Sequence, residues 1–208
     1  MAINNMVSVA EKRQRLFDVA NTQYGLFTAK QAVSIGFARA NFPAHVASGE
    51  WVLESRGLYR LVNYPGTTEQ EYMKWYLWTR NKEDVPQGAY SHETALVLYD
   101  LTDLLPSKFH ITVPRDFRRN AAQPEILELH LKNLRPAETS LYKGFLVTTP
   151  VVTIEQVASD SSISRDVVAN ALSIALKLGV VTLDSIHSRR KESSGTIWDR
   201  LLKDSRNE

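Results

Sequence analysis

Apolar positions at the start of the chain follow a helical period. Val9, Leu16, Phe17 and Ala20 fall on one face of a helix predicted over residues 9–21, with that face turned to a core. Thr28 and Gln31 have the spacing of a capping box, in which each side chain satisfies an otherwise orphaned backbone N–H, and Gly36 supplies a left-handed stop. A second helix is therefore predicted over 29–35. A third stretch, 38–48, ends before Gly49 and exposes Arg39, Asn41, Ala44, His45 and Ser48 around the apolar Phe42 and Val46. Pro43 fits there if Asn41 is the N-cap, because a proline in the first turn forfeits no helical hydrogen bond. Two short strands rich in large apolar residues follow: Trp51, Val52 and Leu53, then Leu58, Tyr59, Arg60 and Leu61. They are joined through Glu54, Ser55, Arg56 and Gly57, where the glycine permits positive φ.

Past Tyr64 the turn Pro65-Gly66-Thr67-Thr68 reads as a domain boundary. Residues 69–80 then form a predicted helix with Tyr72, Trp75, Tyr76 and Trp78. Such rings can stack on bases, but packing against a sheet uses the same residues and is the preferred reading. Ser91 is the expected N-cap of a helix that turns Ala95, Leu96, Leu98 and Tyr99 inward. Strands are predicted at 109–113, 126–131 and 145–148, and helices at 153–158 and 165–178, the latter capped by Ser164 and closed by Gly179. Residues 185–194, with Arg189, Arg190 and Lys191 among serines, read as a solvated linker, and 196–202 as a last short helix. The expected fold class is α+β: a small domain over 1–64 and a mixed α/β domain over 68–208.

Composition narrows the field. The 208 residues include no cysteine, which removes disulfides and any thiolate-bound zinc or iron–sulfur centre. No apolar run approaches the roughly 20 residues that span a bilayer, so no membrane partner is expected. No basic segment leads into an apolar one at the N-terminus, and a cytoplasmic location is the default expectation. The formal charge of +2 hides local clustering. Residues 1–64 hold seven Lys or Arg against four acids, and 108–120 hold Lys108, Arg115, Arg118 and Arg119 against Asp116 alone. Either cluster is a solvated face or an electrostatic footprint for a polyanion.

Helix, two further helices and a basic hairpin, in that order, describe a winged helix-turn-helix, a geometry for holding duplex DNA. On this reading Asn41, His45 and Arg39 face base edges, and Lys30, Arg56 and Arg60 contact phosphates. The competing reading is a hairpin that only closes a small core. Arg115, Arg118 and Arg119 around Phe117, in a loop after a strand, form a possible second basic patch and phosphate clamp.

Catalytic patterns fail one after another. His92-Glu93 begins like a helical zinc motif, but position 96 is leucine, so the second histidine on that face is missing. His110 and His130 lie on strands expected to be neighbours, yet no third ligand is evident and they read as ordinary strand histidines. Glu125, Glu128 and Lys132 lack the spacing of a nuclease strand. No phosphate loop, dinucleotide fingerprint or nucleophile elbow occurs. The expectation is a non-enzyme with no catalytic residues, cofactor or metal.

Several of these segments, taken together, resemble one family. Gly25-Leu26-Phe27-Thr28, the stretch ending Arg56-Gly57-Leu58-Tyr59-Arg60-Leu61, Ser91-His92-Glu93-Thr94-Ala95-Leu96 and His110-Ile111-Thr112-Val113-Pro114-Arg115 are similar to the AbiEi antitoxins of bacterial abortive-infection, type IV toxin–antitoxin systems. The likeness runs from about residue 9 to about residue 183. It implies an N-terminal winged helix that represses its own promoter at inverted repeats, and a C-terminal antitoxin domain that counters a nucleotidyltransferase-like toxin. It does not imply a stable complex with that toxin. The alternative is a protein-interaction module whose winged helix is only a scaffold and whose second domain binds a partner directly.

Overall fold

The computed structural model describes residues 8–160, 163–192 and 196–204. It is a mixed α+β protein whose chain divides into two compact units, residues 1–87 with 143–145, and residues 88–142 with 146–208. None of the described helices is long and apolar enough to cross a membrane.

In the first unit, helix α1 (Val9–Asn21) leads to strand β1 (Leu26–Thr28), helix α2 (Ala29–Ile35), a 3-10 turn (Arg39–Asn41) and helix α3 (Phe42–Ala47). Strands β2 (Trp51–Ser55) and β3 (Leu58–Leu61) then form a hairpin, and α4 (Thr68–Trp78) closes the unit. The sheet is antiparallel in the order β1-β3-β2, with Thr28 opposite Leu58 and a register slip between Leu53 and Ser55. The capping box at α2 forms as predicted: Thr28 Oγ1 accepts from the Gln31 amide, and Gln31 Oε1 accepts from the Thr28 amide. Asn41 stands at the N-cap of α3 with Pro43 in the first turn, although its side chain makes no capping bond.

Trp51 organises the core of this unit. It lies 3 % exposed, with Phe27, Phe37 and Phe42 edge-on to it at centroid distances of 4.8, 5.3 and 5.1 Å. Edge-to-face pairs contribute roughly 0.5–1.5 kcal/mol each beyond area burial, so a small unit gains from one indole what a larger core gains from volume. The face of α1 is narrower than its periodicity implies. Leu16 and Ala20 are buried, whereas Val9 is 66 % and Phe17 46 % exposed.

Three expectations are corrected here. The break between units falls after Gln87 rather than within 65–68, because α4 packs on β1 and β3 and buries Met73, Leu77 and Trp78. Strand β1 was not anticipated; at three residues it is too short to display a period. The 185–194 stretch is mostly helix, as described below, with residues 193 and 194 outside the described residues.

The second unit opens with β4 (Ala89–Tyr90), α5 (His92–Leu98), β5 (Phe109–Val113) and β6 (Leu127–Leu131). A 3-10 turn (Pro136–Glu138), β7 (Thr139–Tyr142) and β8 (Phe145–Thr148) follow, then α6 (Pro150–Ser159), α7 (Arg165–Lys177), α8 (Leu183–Glu192) and α9 (Thr196–Asp204). The sheet runs β6-β5-β4-β8-β7, antiparallel between β4 and β5 and parallel for β5–β6 and β4–β8. Leu96, Ile154, Val157, Leu172, Ala175, Ile186 and Trp198 form one buried cluster among the helices. Strands β4 and β7 also escaped sequence reading, and α6 begins at Pro150, ahead of the predicted 153.

Helix α8 forms because both its start and its middle are anchored. Thr182 and Ser185 exchange amide-to-hydroxyl bonds of 3.0 and 3.1 Å at its entry. One turn on, the Arg189 guanidinium is buried between two buried carboxylates, 2.6 Å from Glu138 and 2.5 Å from Glu155. Burial pushes the Glu138 carboxyl up, yet the Arg135 amide and the guanidiniums of Arg189 and Arg135 outweigh it and hold the pKa at about 2.

Removing Arg189 leaves Glu155 buried without its guanidinium and Glu138 with Arg135, at 3.3 Å, alone. Arg189→Ala is expected to lower the unfolding free energy by about 3–5 kcal/mol in urea denaturation. Arg190→Ala, whose Asp199 partner is near half-exposed, should cost less than about 1 kcal/mol. A folded-state pKa held below its unfolded value stabilises fully above that value and loses the effect as the pH falls. The Glu138 contribution is therefore complete above pH 4.5 and disappears on acidification towards about 2. Thermal melts across that window should show a shallower acid slope in Glu138→Gln than in the unaltered chain.

Candidate functional site

The two units carry separate candidate surfaces. On the first unit Lys30, Arg39, Asn41 and Arg56 are exposed and free to meet a polyanion. His45 and Arg60 are not equivalent to them. His45 Nδ1 lies 2.9 Å from Glu50 and its ring stacks on Trp51 at 4.4 Å, while Glu50 also takes a 2.6 Å bond from Arg13. The bond from His45 holds the Glu50 carboxyl below its ordinary range. Arg60 Nε donates to Glu54 at 2.8 Å, and Lys74 reaches the same carboxylate at 3.1 Å. Burial raises the Glu54 pKa, but the bonds from Arg60 and Lys74 prevail and lower it. Both side chains thus spend their hydrogen bonds inside the unit.

The hairpin tip is held from behind by a residue that sequence reading passed over. Arg80 Nη2 donates to the Gly57 carbonyl at 2.9 Å, and the same oxygen accepts from the Ala29 amide at 2.9 Å. Gly57 has φ of 75°, and a Cβ there would stand 3.2 Å from the Arg80 guanidinium, so the turn requires glycine on two counts. Arg80 also pairs with Asp84 at 3.1 Å, and Asp84 accepts a short bond from Thr28 Oγ1. Nothing in the local sequence distinguishes Arg80 from a surface cation four residues before an acid.

The second basic patch is less open than its composition implies. Arg115 and Arg118 are exposed, Arg119 is half-buried, and Phe117 is 8 % exposed beneath them. Its ring belongs to the core and is unavailable for stacking on a base. Arg118 Nη1 donates to the Phe117 carbonyl at 2.8 Å, and the Arg115 amide donates to Asn133 Oδ1 at 2.9 Å.

The most concentrated chemistry of the second unit is a group of three histidines, of which the sequence had brought only His110 and His130 onto neighbouring strands. Parallel pairing sets Thr112 opposite His130 and His110 opposite Glu128, so His110 and His130 share a face of the sheet. Strand β4 runs antiparallel to β5, and the Ser91 amide extends that ladder with a 3.0 Å bond to the His110 carbonyl. The chain then turns through His92 at φ of 52° into α5, whose Thr94 Oγ1 accepts from the His110 amide at 2.8 Å. That turn carries the His92 ring onto His130, with centroids 3.6 Å apart.

Each ring of the three offers a nitrogen, and the three nitrogens lie within 4.8 Å of one another. His110 Nδ1 and His130 Nε2 are 3.1 Å apart, His110 Nε2 is 3.2 Å from Glu93, and His92 Nδ1 is 3.0 Å from Ser91 Oγ. Burial lowers the pKa of all three, that of His92 to about 3 with help from the charges of His130 and His110, so all are neutral near pH 7. Sequence reading required a third ligand at helical spacing from His92 or on a strand. The usable signal was Ser91-His92 at a strand-to-helix turn, visible only once β4 is known.

Beside the group is a cleft of about 500 Å³ that includes His92, His130, Lys132 and Gln156 among its walls. Gln156 Nε2 reaches Thr112 Oγ1 at 3.4 Å, and Thr112 donates to Ser91 Oγ at 2.8 Å. The Gln156 side-chain oxygen, at a residue 7 % exposed, accepts no bond among the described residues.

Compared with known proteins, the chain is matched by no model of a protein family and by no curated protein.

Proposed function

We propose that the chain is a DNA-binding antitoxin that represses its own promoter, the first unit acting as a winged helix-turn-helix on inverted repeats and the second opposing a nucleotidyltransferase-like toxin. The observation that carries the reading is the order helix, strand, helix, helix, hairpin, closed by an antiparallel sheet in the order β1-β3-β2. In a fold of that order the second helix of the pair meets the major groove and the hairpin meets the flanking backbone. Arg39 and Asn41 at the entry of α3, Lys30 on α2 and Arg56 at the hairpin tip are all exposed, which supports the reading. Asn41 suits a bidentate contact with adenine, and the three cations suit phosphate oxygens. The resemblance to AbiEi antitoxins supplies the biological setting.

Within this reading His45 and Arg60 are positioning residues. His45 braces Trp51 and the end of α3, and Arg60 reaches a phosphate only by leaving Glu54. The same pairing favours the competing reading, in which the first unit is a scaffold and the second binds a protein partner directly.

Fluorescence anisotropy on the chain's own upstream duplex and on a scrambled one, across roughly 50–200 mM salt, separates the two. Repressor function predicts tight binding to the native duplex, and Arg56→Ala should reduce the salt slope by about one unit on both duplexes. Asn41→Ala should cost about 1–3 kcal/mol on the native duplex alone. Glu54→Ala, which releases Arg60 and Lys74, should strengthen binding to both. Equal and weak binding that none of these changes moves would establish the scaffold reading instead.

A further inference from the structure

We propose that His92, His110 and His130 bind one divalent transition-metal ion of the zinc type, with a coordination place left open towards the adjoining cleft. The inference is independent of the repressor reading, since it concerns only the second unit.

The spacing is the first argument. Metal–nitrogen bonds of about 2.0–2.1 Å in a tetrahedron put ligand nitrogens about 3.3 Å apart. His110 Nδ1 and His130 Nε2 already stand 3.1 Å from each other, and the third nitrogen falls inside the 4.8 Å limit of the group. Seating one ion asks the His92 ring to tilt out of its stack on His130, a side-chain movement that leaves the strands in place.

The outward nitrogens make the second argument. A metal-bound imidazole generally gives its other N–H to a carboxylate or another acceptor, which sets the tautomer and aims the ring. His110 presents Nε2 to Glu93 at 3.2 Å, and His92 presents Nδ1 to Ser91 Oγ at 3.0 Å. Those contacts leave His110 Nδ1 and His92 Nε2 for the ion. Ser91 is fixed in turn by Thr112, which donates to it at 2.8 Å.

A third argument comes from features that core histidines have no use for. His92 holds a left-handed backbone at φ of 52°, a conformation that costs a residue with a side chain free energy and recurs at functional sites. The buried Gln156 oxygen, in the wall of the same cleft, accepts nothing among the described residues, and a water on the open coordination place has a hydrogen to give. Three neutral imidazoles select zinc, cobalt, nickel or copper over magnesium and calcium, which prefer oxygen.

The test uses the full chain, stripped with a chelator and titrated with Zn²⁺ by calorimetry and with Co²⁺ by visible absorption. The expected result is one equivalent of Zn²⁺ per chain, a rise in melting temperature, and the strong d–d bands of four-coordinate Co²⁺, with no competition from excess Mg²⁺. Joint replacement His110→Ala and His130→Ala should abolish all three signals, whereas His187→Ala, on the exposed face of α8, should leave them intact. Circular dichroism reports whether the double variant is folded. If it is not, His92→Asn, which the left-handed backbone tolerates, and Glu93→Gln decide the matter. Exchanging the outward carboxylate for an uncharged amide oxygen, a weaker acceptor, should weaken zinc binding about 10-fold, the lower end for outer-shell changes. Absence of stoichiometric Zn²⁺, a Co²⁺ spectrum that remains that of the hydrated ion, or unchanged affinity in both His92→Asn and Glu93→Gln would overturn the proposal.

Discussion

The parallel register of β5 against β6 is the constraint on which the second unit depends. A parallel pair cannot be closed by a tight turn, so the chain must travel from Val113 to Leu127 before pairing, and the loop with Arg115, Arg118 and Arg119 is that connection. The register then determines which side chains become neighbours. A slip of one residue would send His130 to the opposite face and separate it from His110. Because β4 is antiparallel to the same strand, the chain leaves the sheet at Ser91 beside His110 and delivers His92 there.

Away from the histidines, the same unit relies on electrostatics in an unusual place. A guanidinium between two carboxylates joins the apolar contact of Ile186 in docking α8. Desolvating three charges is costly, and a well-packed hydrophobic replacement is often as stable. What the arrangement adds is direction: Arg189 can satisfy Glu138 and Glu155 only from one position along α8, so the helix cannot slide or rotate without exposing unpaired charge.

Sequence reading recovered the parts of the fold whose signals are local. The capping box at Thr28, the left-handed stop at Gly36, the serine cap of α7 and the strand at 109–113 each depend on residues within one turn or one strand. It failed where the deciding partner lies far along the chain. Residues 185–194 looked like a linker because Ile186 is their one large aliphatic residue and sets no apolar period, and the carboxylates that stabilise α8 are 34 and 51 residues away from Arg189. The histidines were half legible: the neighbouring strands of His110 and His130 were expected, but His92 joins them from a helix start 18 residues before His110 in the chain. Among the candidate DNA contacts, position was readable but availability was not, since Glu50 and Glu54 engage His45 and Arg60 through folding rather than adjacency.

The tie from Arg80 and the Ala29 amide to the Gly57 carbonyl makes the hairpin tip and the start of α2 a single rigid piece. The tie fixes the backbone from which Lys30 and Arg56 project, while their exposed side chains keep their rotamer freedom. A loose tip would lose backbone entropy on being ordered, whereas a tied tip has lost it already in folding. Whatever ordering remains to be done at that end of the unit therefore falls on side chains and not on the loop that carries them.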